Sequence, residues 1–276
     1  MILSEEIYNK FTSLIYQRTG IAYESNKKYY VQKRLEKQLE RLNMRSYNEY
    51  YYLLRFSEDT TEFDRLINEL TVNETYFFRD FPQLRNFAED VLPLVVREKR
   101  EANDQTIKIW SAACSTGEEA YTLAIILREM LDDPEEWNLH IIALDINTDV
   151  LQRAKIGLYD SRSVRDVPPE YLRKYFRMEN GRYLIDDSLR KNIKFRKINL
   201  MDTSAIRSVK GCDFIFCRNV LIYFDDRSRE KVLREFYDCL NPGGYLFLGH
   251  SESVGRISSA YKPQKIGGVT VYSTHK

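Results

Sequence analysis

The sequence has no apolar run approaching the ~18–20 residues that cross a bilayer. Residues 1–11 (MILSEEIYNKF) also lack the basic-then-apolar pattern of a signal peptide. A soluble cytoplasmic chain is the expectation. Cysteine is scarce: Cys114, Cys212, Cys217 and Cys239 form no C-x-x-C pair, and a chain of 276 residues needs no disulfide framework. His140, His250 and His275 are scattered, so no metal site is expected. Neither charge is in excess. The 42 Lys and Arg face 41 Asp and Glu, which argues against coating nucleic acid by bulk charge. An Asn-Pro-Pro-Tyr-type motif for a flipped base is missing too. With 11 Gly and 7 Pro the chain is neither collagen-like nor low-complexity, and 43% hydrophobic and 13% aromatic content exclude a mostly disordered one.

What is present falls into two textures. Residues 1 to about 70 read as helices. Ser4 is a plausible N-cap for a helix with Ile7, Phe11, Leu14 and Ile15 on one face, and Gly20 breaks the pattern. Val31, Leu35, Leu39 and Leu42 repeat the helical spacing, as do Tyr47, Tyr50, Leu53 and Leu54, and then Phe63, Leu66, Ile67 and Leu70. Short connections point to a small bundle. From about residue 105, strands alternate with helices: strands at 106–112, 139–145, 193–198, 213–217, 245–249 and 268–273, helices at 117–130, 148–155 and 228–240. Residues 241–244 (NPGG) read as a turn. The alternation implies a mostly parallel sheet covered by helices. Residues from about 157 to 192, with Pro168-Pro169 and Asn180-Gly181, break that rhythm and read as an inserted subdomain with a hairpin at 179–182.

In an open α/β sheet, ligands bind beyond the carboxyl ends of the strands. The first strand runs into Ala113-Cys114-Ser115-Thr116-Gly117-Glu118-Glu119, where small residues let a ligand approach the backbone. A plain tight turn is the equal alternative. Both phosphate-cradling signatures, G-x-G-x-x-G and G-x-x-x-x-G-K-[ST], are missing, and the loop ends in two acids. A ligand with hydroxyls or a cationic group suits it better than a phosphate. Asp145 ends the second strand, where an acid accepts hydrogen bonds from ribose hydroxyls or caps the next helix. The loop and Asp145 together point to a nucleoside without phosphates that carries a positive centre, S-adenosylmethionine. Asn199 and Leu200 follow the third strand, beside the expected position of an adenine. Arg218, Asn219 and Tyr223 follow the fourth. Asn73, Thr75 and Arg79 stand among aromatics in the segment that bridges the two halves, where helix capping is the competing reading for Asn73 and Thr75.

TVNETYFFRD, WSAACSTGEEAYTLA, LDIN, FCRNVLIYF and GGYLFLGHSES, in that order, closely resemble the chemotaxis receptor methyltransferases, the CheR family. The resemblance covers essentially the whole chain. It implies an α/β class I methyltransferase (Rossmann-like) fold with a mostly parallel seven-stranded sheet, an all-α N-terminal domain and a small β insertion subdomain. The implied division is 1–72 helical, 73–104 a linker contributing to the pocket, and 105–276 the methyltransferase domain, with the insertion at about 157–192. The implied activity is transfer of the methyl of S-adenosylmethionine to glutamate side chains on the cytoplasmic helices of chemoreceptors, leaving S-adenosylhomocysteine. Carried over by motif, Asn73, Thr75, Arg79, Gly117, Glu118 (favoured over Glu119), Asp145, Asn199, Leu200, Arg218 and Asn219 would contact the cofactor. Arg79 and Tyr223 would stand nearest the transferring methyl.

Receptor docking is expected on the second helix. Lys27, Lys28, Lys33, Arg34, Lys37, Arg41 and Arg45 face only Glu36 and Glu40 along that stretch, a local +5. Lys33, Arg34, Lys37 and Arg41 are the candidate contacts for glutamate-rich receptor helices. The insertion is also basic. Its hairpin Met178-Glu179-Asn180-Gly181-Arg182-Tyr183 has a single glycine and no inserted loop, so an enzyme independent of a receptor pentapeptide tether is expected. The resemblance implies neither nucleic-acid binding nor membrane insertion, and places the protein in the cytoplasm at membrane receptor arrays. A different methyl acceptor, or a non-catalytic adaptor that kept the fold, are the alternatives. Intact Arg79, Asp145, Asn219 and Tyr223 speak against the adaptor.

Overall fold

The structure is a computed structural model that describes residues 2–255 and 257–275. The N-terminal quarter is helical: α1 (Glu5–Thr19), α2 (Lys28–Arg41), α3 (Tyr47–Phe56) and α4 (Thr61–Leu70). The Ser4 hydroxyl accepts from the Ile7 N–H and caps α1. Gly20, at φ 72°, ends the helix in the left-handed region where its N–H bonds back to the Tyr16 carbonyl. The apolar stripes meet in one core of Phe11, Leu14, Ile15, Val31, Leu35, Leu39, Tyr50, Leu66 and Ile67, all nearly inaccessible.

The connecting segment is more structured than a linker. It holds α5 (Phe81–Asn86), a π-helical turn (Phe87–Val91) and α6 (Leu92–Glu101) in near-continuous succession. Phe87 is fully buried and packs edge-on against Phe214, Phe216 and Phe247 of the sheet, with ring centroids 5.0–5.6 Å away. The segment is therefore a layer of the sheet domain.

That domain continues as β1 (Thr106–Ala112), α7 (Glu118–Met130), β2 (Asn138–Asp145) and α8 (Thr148–Ile156). The insertion follows: β3 (Leu158–Tyr159), α9 (Pro169–Tyr175), β4 (Phe176–Glu179), β5 (Arg182–Ile185) and α10 (Asp187–Arg190). The chain then returns through β6 (Ile193–Lys197), α11 (Thr203–Arg207), β7 (Cys212–Cys217), α12 (Asp226–Cys239), β8 (Leu240–Leu248), β9 (Lys262–Ile266) and β10 (Val269–Ser273). The seven-stranded order is β6-β2-β1-β7-β8-β10-β9, parallel except that β10 runs antiparallel to β8 and β9 to β10. A separate three-stranded sheet, β3-β5-β4, holds the predicted hairpin, with Asn180 and Gly181 both at positive φ as a type I′ turn requires.

Alternation along the strands sorts side chains to two faces. Ile107, Ile109, Ile141, Phe214, Phe216 and Phe247 pack toward α5, α6, α7 and the insertion. Trp110, Leu144, Ile215, Cys217, Leu246 and Leu248 pack toward α11 and α12. All four cysteines are buried and free. Among the described residues no helix is long and apolar enough to cross a membrane.

One expectation about an element needs correction, and one strand of the expected seven had not been placed. Residues 241–244 do not form a separate turn before a strand. They lie inside β8, where the register against β7 shifts between Cys212 and Phe214. The Asn241 amide donates to Asp213 at 2.7 Å, and Thr274 N–H donates to the Gly244 carbonyl, so the bulged stretch is held from both sides. The seventh strand is β9 (KPQKI), which carries too little apolar residue to read as a strand.

Candidate active site

The parallel strands end beneath the helical domain, and a cavity of about 700 Å³ lies between the two. Its walls come from the α1–α2 connection, the 70–79 segment, the β1–α7 loop, the ends of β2 and β6, and the 218–229 segment.

The β1–α7 loop makes the acidic side. Ala113 and Ser115 take positive φ (60° and 50°), which small side chains tolerate best, and the Cys114 N–H bonds to the Leu144 carbonyl. The turn points the Ser115 N–H at Asp145, 2.8 Å from Oδ2, while Asn147 N–H donates to Oδ1 at 2.9 Å. Asn147, not Asp145, caps α8 by accepting from the N–H groups of Asp149 and Val150. The capping reading of Asp145 is thereby set aside. Asp145 is 6% exposed, and burial pushes its carboxyl up to about 6 against the opposing pull of the backbone donors. Ser115 Oγ also donates to the Asn73 carbonyl, tying this loop to the connecting segment.

Glu119 lines the cavity one residue into α7. It accepts from Ser111 Oγ at 2.6 Å and from Arg218 Nη1 at 3.3 Å. Burial raises its pKa, and Arg218 opposes the shift. The Arg218 side chain is 5% exposed, pairs with Glu119 and reaches Asp80 at 3.6 Å. It also donates to the Arg79 carbonyl, while its buried Nε has no partner among the described residues.

Aromatic and basic residues line the same cavity. Arg79 is half-buried with Nη1 on the Glu74 carbonyl at 2.7 Å, and its charge pulls on both Glu119 and Tyr223. Tyr223 sits in a 3₁₀ turn (Leu221–Tyr223), and burial holds its hydroxyl above its usual pKa. Tyr23 and Tyr30 of the helical domain close the wall, both donating to the Leu70 carbonyl at 2.9 Å.

The structure brings together Asn73, Thr75, Arg79, Asp145, Asn199, Leu200, Arg218, Asn219 and Tyr223 around this one cavity. Neither Asn73 nor Thr75 caps a helix; the Asn73 amide donates to the Thr71 carbonyl at 3.3 Å. Asn199 is partly committed, with Nδ2 on the Arg18 carbonyl at 2.6 Å and Oδ1 accepting the Met201 N–H. Gly117 and Glu118 are not brought into the lining. Glu118 is 2% exposed and turned away, accepting from Thr116 Oγ1 at 2.6 Å. Gly117 takes φ 94° under the helix start, where a Cβ would come 2.9 Å from Ala154. The preference for Glu118 over Glu119 is corrected on that geometry.

The basic helix is also less bare than its sequence. Lys33 pairs with Glu36 at 3.0 Å and Lys37 with Glu69 at 2.7 Å; Arg41 pairs with Glu62 and Lys28 with Glu5. Arg34 lies over the Tyr30 ring at 3.5 Å. The +5 count omitted Glu5, Glu62 and Glu69, which reach in from α1 and α4. Lys33 and Lys37 nevertheless stay at least half exposed. In the insertion, Arg190 turns inward to the Lys155 and Ile156 carbonyls at the end of α8. Sequence reasoning placed Ser115 in the ligand loop without giving it a role, and missed Tyr23, Tyr30 and Glu252. Of those three only Glu252 had a signal, inside the quoted GGYLFLGHSES.

Residues 6–71 match the family described as CheR methyltransferase, all-alpha domain, and residues 73–267 the one described as CheR methyltransferase, SAM binding domain. The chain is 41% identical over 278 residues to chemotaxis protein methyltransferase 2 of Vibrio cholerae, covering 100% of this chain and 96% of the relative. It is 34% identical to the chemotaxis protein methyltransferase of Salmonella typhimurium, at 100% and 92% coverage. The Borreliella burgdorferi chemotaxis protein methyltransferase is 31% identical, at 91% and 89%.

Proposed function

The chain belongs to the CheR methyltransferase family, with an S-adenosylmethionine-binding domain, and on that premise we propose that it methylates glutamate side chains of chemoreceptor cytoplasmic helices. The units we assign are 1–72 and 105–276, with the insertion at about 157–192 and with 73–104 as the connecting segment that lines the pocket and packs on the sheet of the second unit. The observation that carries the reading is one cavity, shared by the helical and sheet domains and lined by the buried acids Glu119 and Asp145 together with Arg79 and Tyr223.

The residues present fit the cofactor. The Asp145 carboxylate uses backbone donors on one side and keeps lone pairs for ribose hydroxyls. Leu200 is an apolar surface for the adenine, and Asn199 stands at its edge. Glu119 and the Arg218 fork offer an acceptor and donors for the amino-acid end. When bound, S-adenosylmethionine supplies a methyl group on a sulfonium sulfur; the acceptor oxygen bonds to carbon as the carbon–sulfur bond breaks, leaving S-adenosylhomocysteine. A glutamate has a reference pKa of ~4.3, so it is already ionised near neutral pH and needs no general base. The chain's task is positioning with water excluded. Arg79, anchored by one nitrogen to the Glu74 carbonyl, has its remaining donors to orient the incoming carboxylate. Tyr223 lines the same cavity within reach of the Arg79 charge and bounds the acceptor's approach. The exposed Lys33 and Lys37, with Arg34 and Arg41, form the docking face at receptor arrays. The short β4–β5 hairpin supports a mode without a pentapeptide tether.

The test is labelled methyl transfer from cofactor to a receptor cytoplasmic fragment, and to the same fragment with its labelled glutamates changed to alanine. Loss of label from the altered fragment is expected. Label that persists there contradicts a glutamate acceptor.

A further inference from the structure

Glu252 lies outside the cavity lining, in the loop after β8, yet its carboxylate collects more backbone donors than any other acid described above. Oε2 accepts from Gly249 N–H at 2.7 Å and from Asn219 N–H at 2.8 Å; Oε1 accepts from Val220 N–H at 2.8 Å and from Ile222 N–H at 3.3 Å. Three of these four donors belong to the short segment that runs from Arg218 to Tyr223.

That segment cannot satisfy itself. Asn219 takes φ 59°, in the left-handed region, which turns successive N–H groups toward one side and away from any ladder. Asn219 and Val220 are half-buried, and an N–H partly withdrawn from water without a partner costs stability; Ile222 is exposed and its bond is the longest of the four. A charged acceptor chelating several of them gives short, charge-assisted bonds and fixes the backbone. The rest of the segment is held from other directions. The Tyr223 carbonyl accepts from Ala22 N–H at 3.0 Å, Arg229 Nε donates to the Leu221 carbonyl at 2.8 Å, and Ile21 bridges Phe224. The space around the carboxylate is also reserved. A Cβ on Gly249 would stand 2.6 Å from Glu252 Oε2 and 2.8 Å from Asn219 N.

We propose that Glu252 is a positioning residue for the methyl-transfer site: its carboxylate clamps the 219–222 backbone and thereby sets Asn219 and Tyr223 at the cavity. Gly249 is part of the same device because only a residue without a side chain lets the carboxylate reach. Asp145, the 113–119 loop and Leu200 are held by other elements, and Arg218 is held by Glu119 and Asp80, so among the expected cofactor contacts Asn219 is the one that depends on the clamp. Its loss therefore acts on transfer more than on cofactor binding. This inference rests on the proposed reaction for its activity readout, but not for its structural one.

The experiment compares the full-length wild type with Glu252→Gln and, separately, Gly249→Ala. Amide hydrogen exchange is read at residues 219, 220, 222 and 249 in the cofactor-free protein. Exchange at least tenfold faster at these amides, with the β1 and β2 amides unchanged, is expected for both variants. Unchanged exchange there overturns the clamp, whatever the acceptor proves to be. For methylation, kcat should fall at least tenfold, while the Kd for S-adenosylhomocysteine, to which Asn219 contributes one contact among several, rises by a smaller factor. A double-mutant cycle with Tyr223→Phe separates positioning from general destabilisation. The Glu252→Gln effect should shrink in the Tyr223→Phe background. Equal effects in both backgrounds, or parallel loss of kcat and cofactor affinity, overturn the role. A wild type that transfers no methyl to receptor fragments sinks the proposed reaction, and the exchange arm still decides the clamp.

Discussion

Asp145 combines near-complete burial with two backbone donors, and burial is the larger influence on its carboxyl, which sits at about 6. An acid that ionises at ~3.9 in an unfolded chain and near 6 in the folded one binds more protons when folded. Its contribution makes the cofactor-free protein less stable as pH rises from about 4 to about 6. Ribose hydroxyls need the ionised acceptor, so the affinity trend is the reverse. The Kd for S-adenosylhomocysteine, measured by calorimetry, should be flat above about pH 7 and weaken by up to about tenfold per unit below about pH 6. Asp145→Asn should bind weakly and lose that slope; the same slope in the variant would assign the titration elsewhere. Arg79→Ala should lower methyl transfer about a hundredfold, the scale of losing one preorganised donor. Arg79 is half-buried with one bond to a backbone carbonyl, so unfolding should shift by no more than about 1 kcal/mol. Near-normal turnover would remove Arg79 from the site. At this scale the strand-end residues Asp145 and Arg218 were legible, because ligand groups gather at carboxyl strand ends. The choice between Glu118 and Glu119 was not. At 3.6 residues per turn, adjacent residues point about 100° apart, and the left-handed Gly117 decides which one enters the cavity.

Helices α1 to α4 were legible because their apolar residues repeat at the helical period and end on clear signals. Gly20 is the sharpest of these. Its φ of 72° is one requirement, and space is another: a Cβ would stand 2.8 Å from Met201 and 2.9 Å from Phe224. The end of α1 is thus seated on two elements of the sheet domain. Gly20→Ala should lower stability by about 1–3 kcal/mol in urea titration, a strained φ plus a close contact. A change within about 0.3 kcal/mol would mean that this junction yields freely. The segment 81–101 was harder to read. Pro82 and Pro93 look like breaks, yet each sits in the first turn of its helix, where proline is tolerated, and a π turn shifts the phase between them. Strand β9 escaped because edge strands carry Lys and Pro, which guard an open edge against further pairing.

Across the whole molecule the balanced charge is a matter of placement. Acid lines one side of the cavity, while α2 presents exposed lysines that are partly paired. Screening acts over ~10 Å at 0.1 M salt, so receptor binding should weaken as salt rises. Pairing with Glu36, Glu62 and Glu69 makes that dependence shallower than the unpaired count along α2 implies. Charge reversal at Lys33, Arg34 and Lys37 should impair receptor methylation while leaving the Kd for S-adenosylhomocysteine unchanged. Equal loss of both would contradict this docking face. The +5 was misleading because sequence places acids only along the same helix, and the neutralising ones arrive from α1 and α4.

The central claim is that the cavity between the two domains serves methyl ester formation on receptor glutamates. The most direct measurement incubates the protein with methyl-labelled S-adenosylmethionine and a receptor cytoplasmic fragment, then treats the isolated fragment with mild base. Esters hydrolyse and release the label as volatile methanol, which is the predicted result. Label that stays on the fragment through base treatment would identify an amide or nitrogen acceptor and contradict the account.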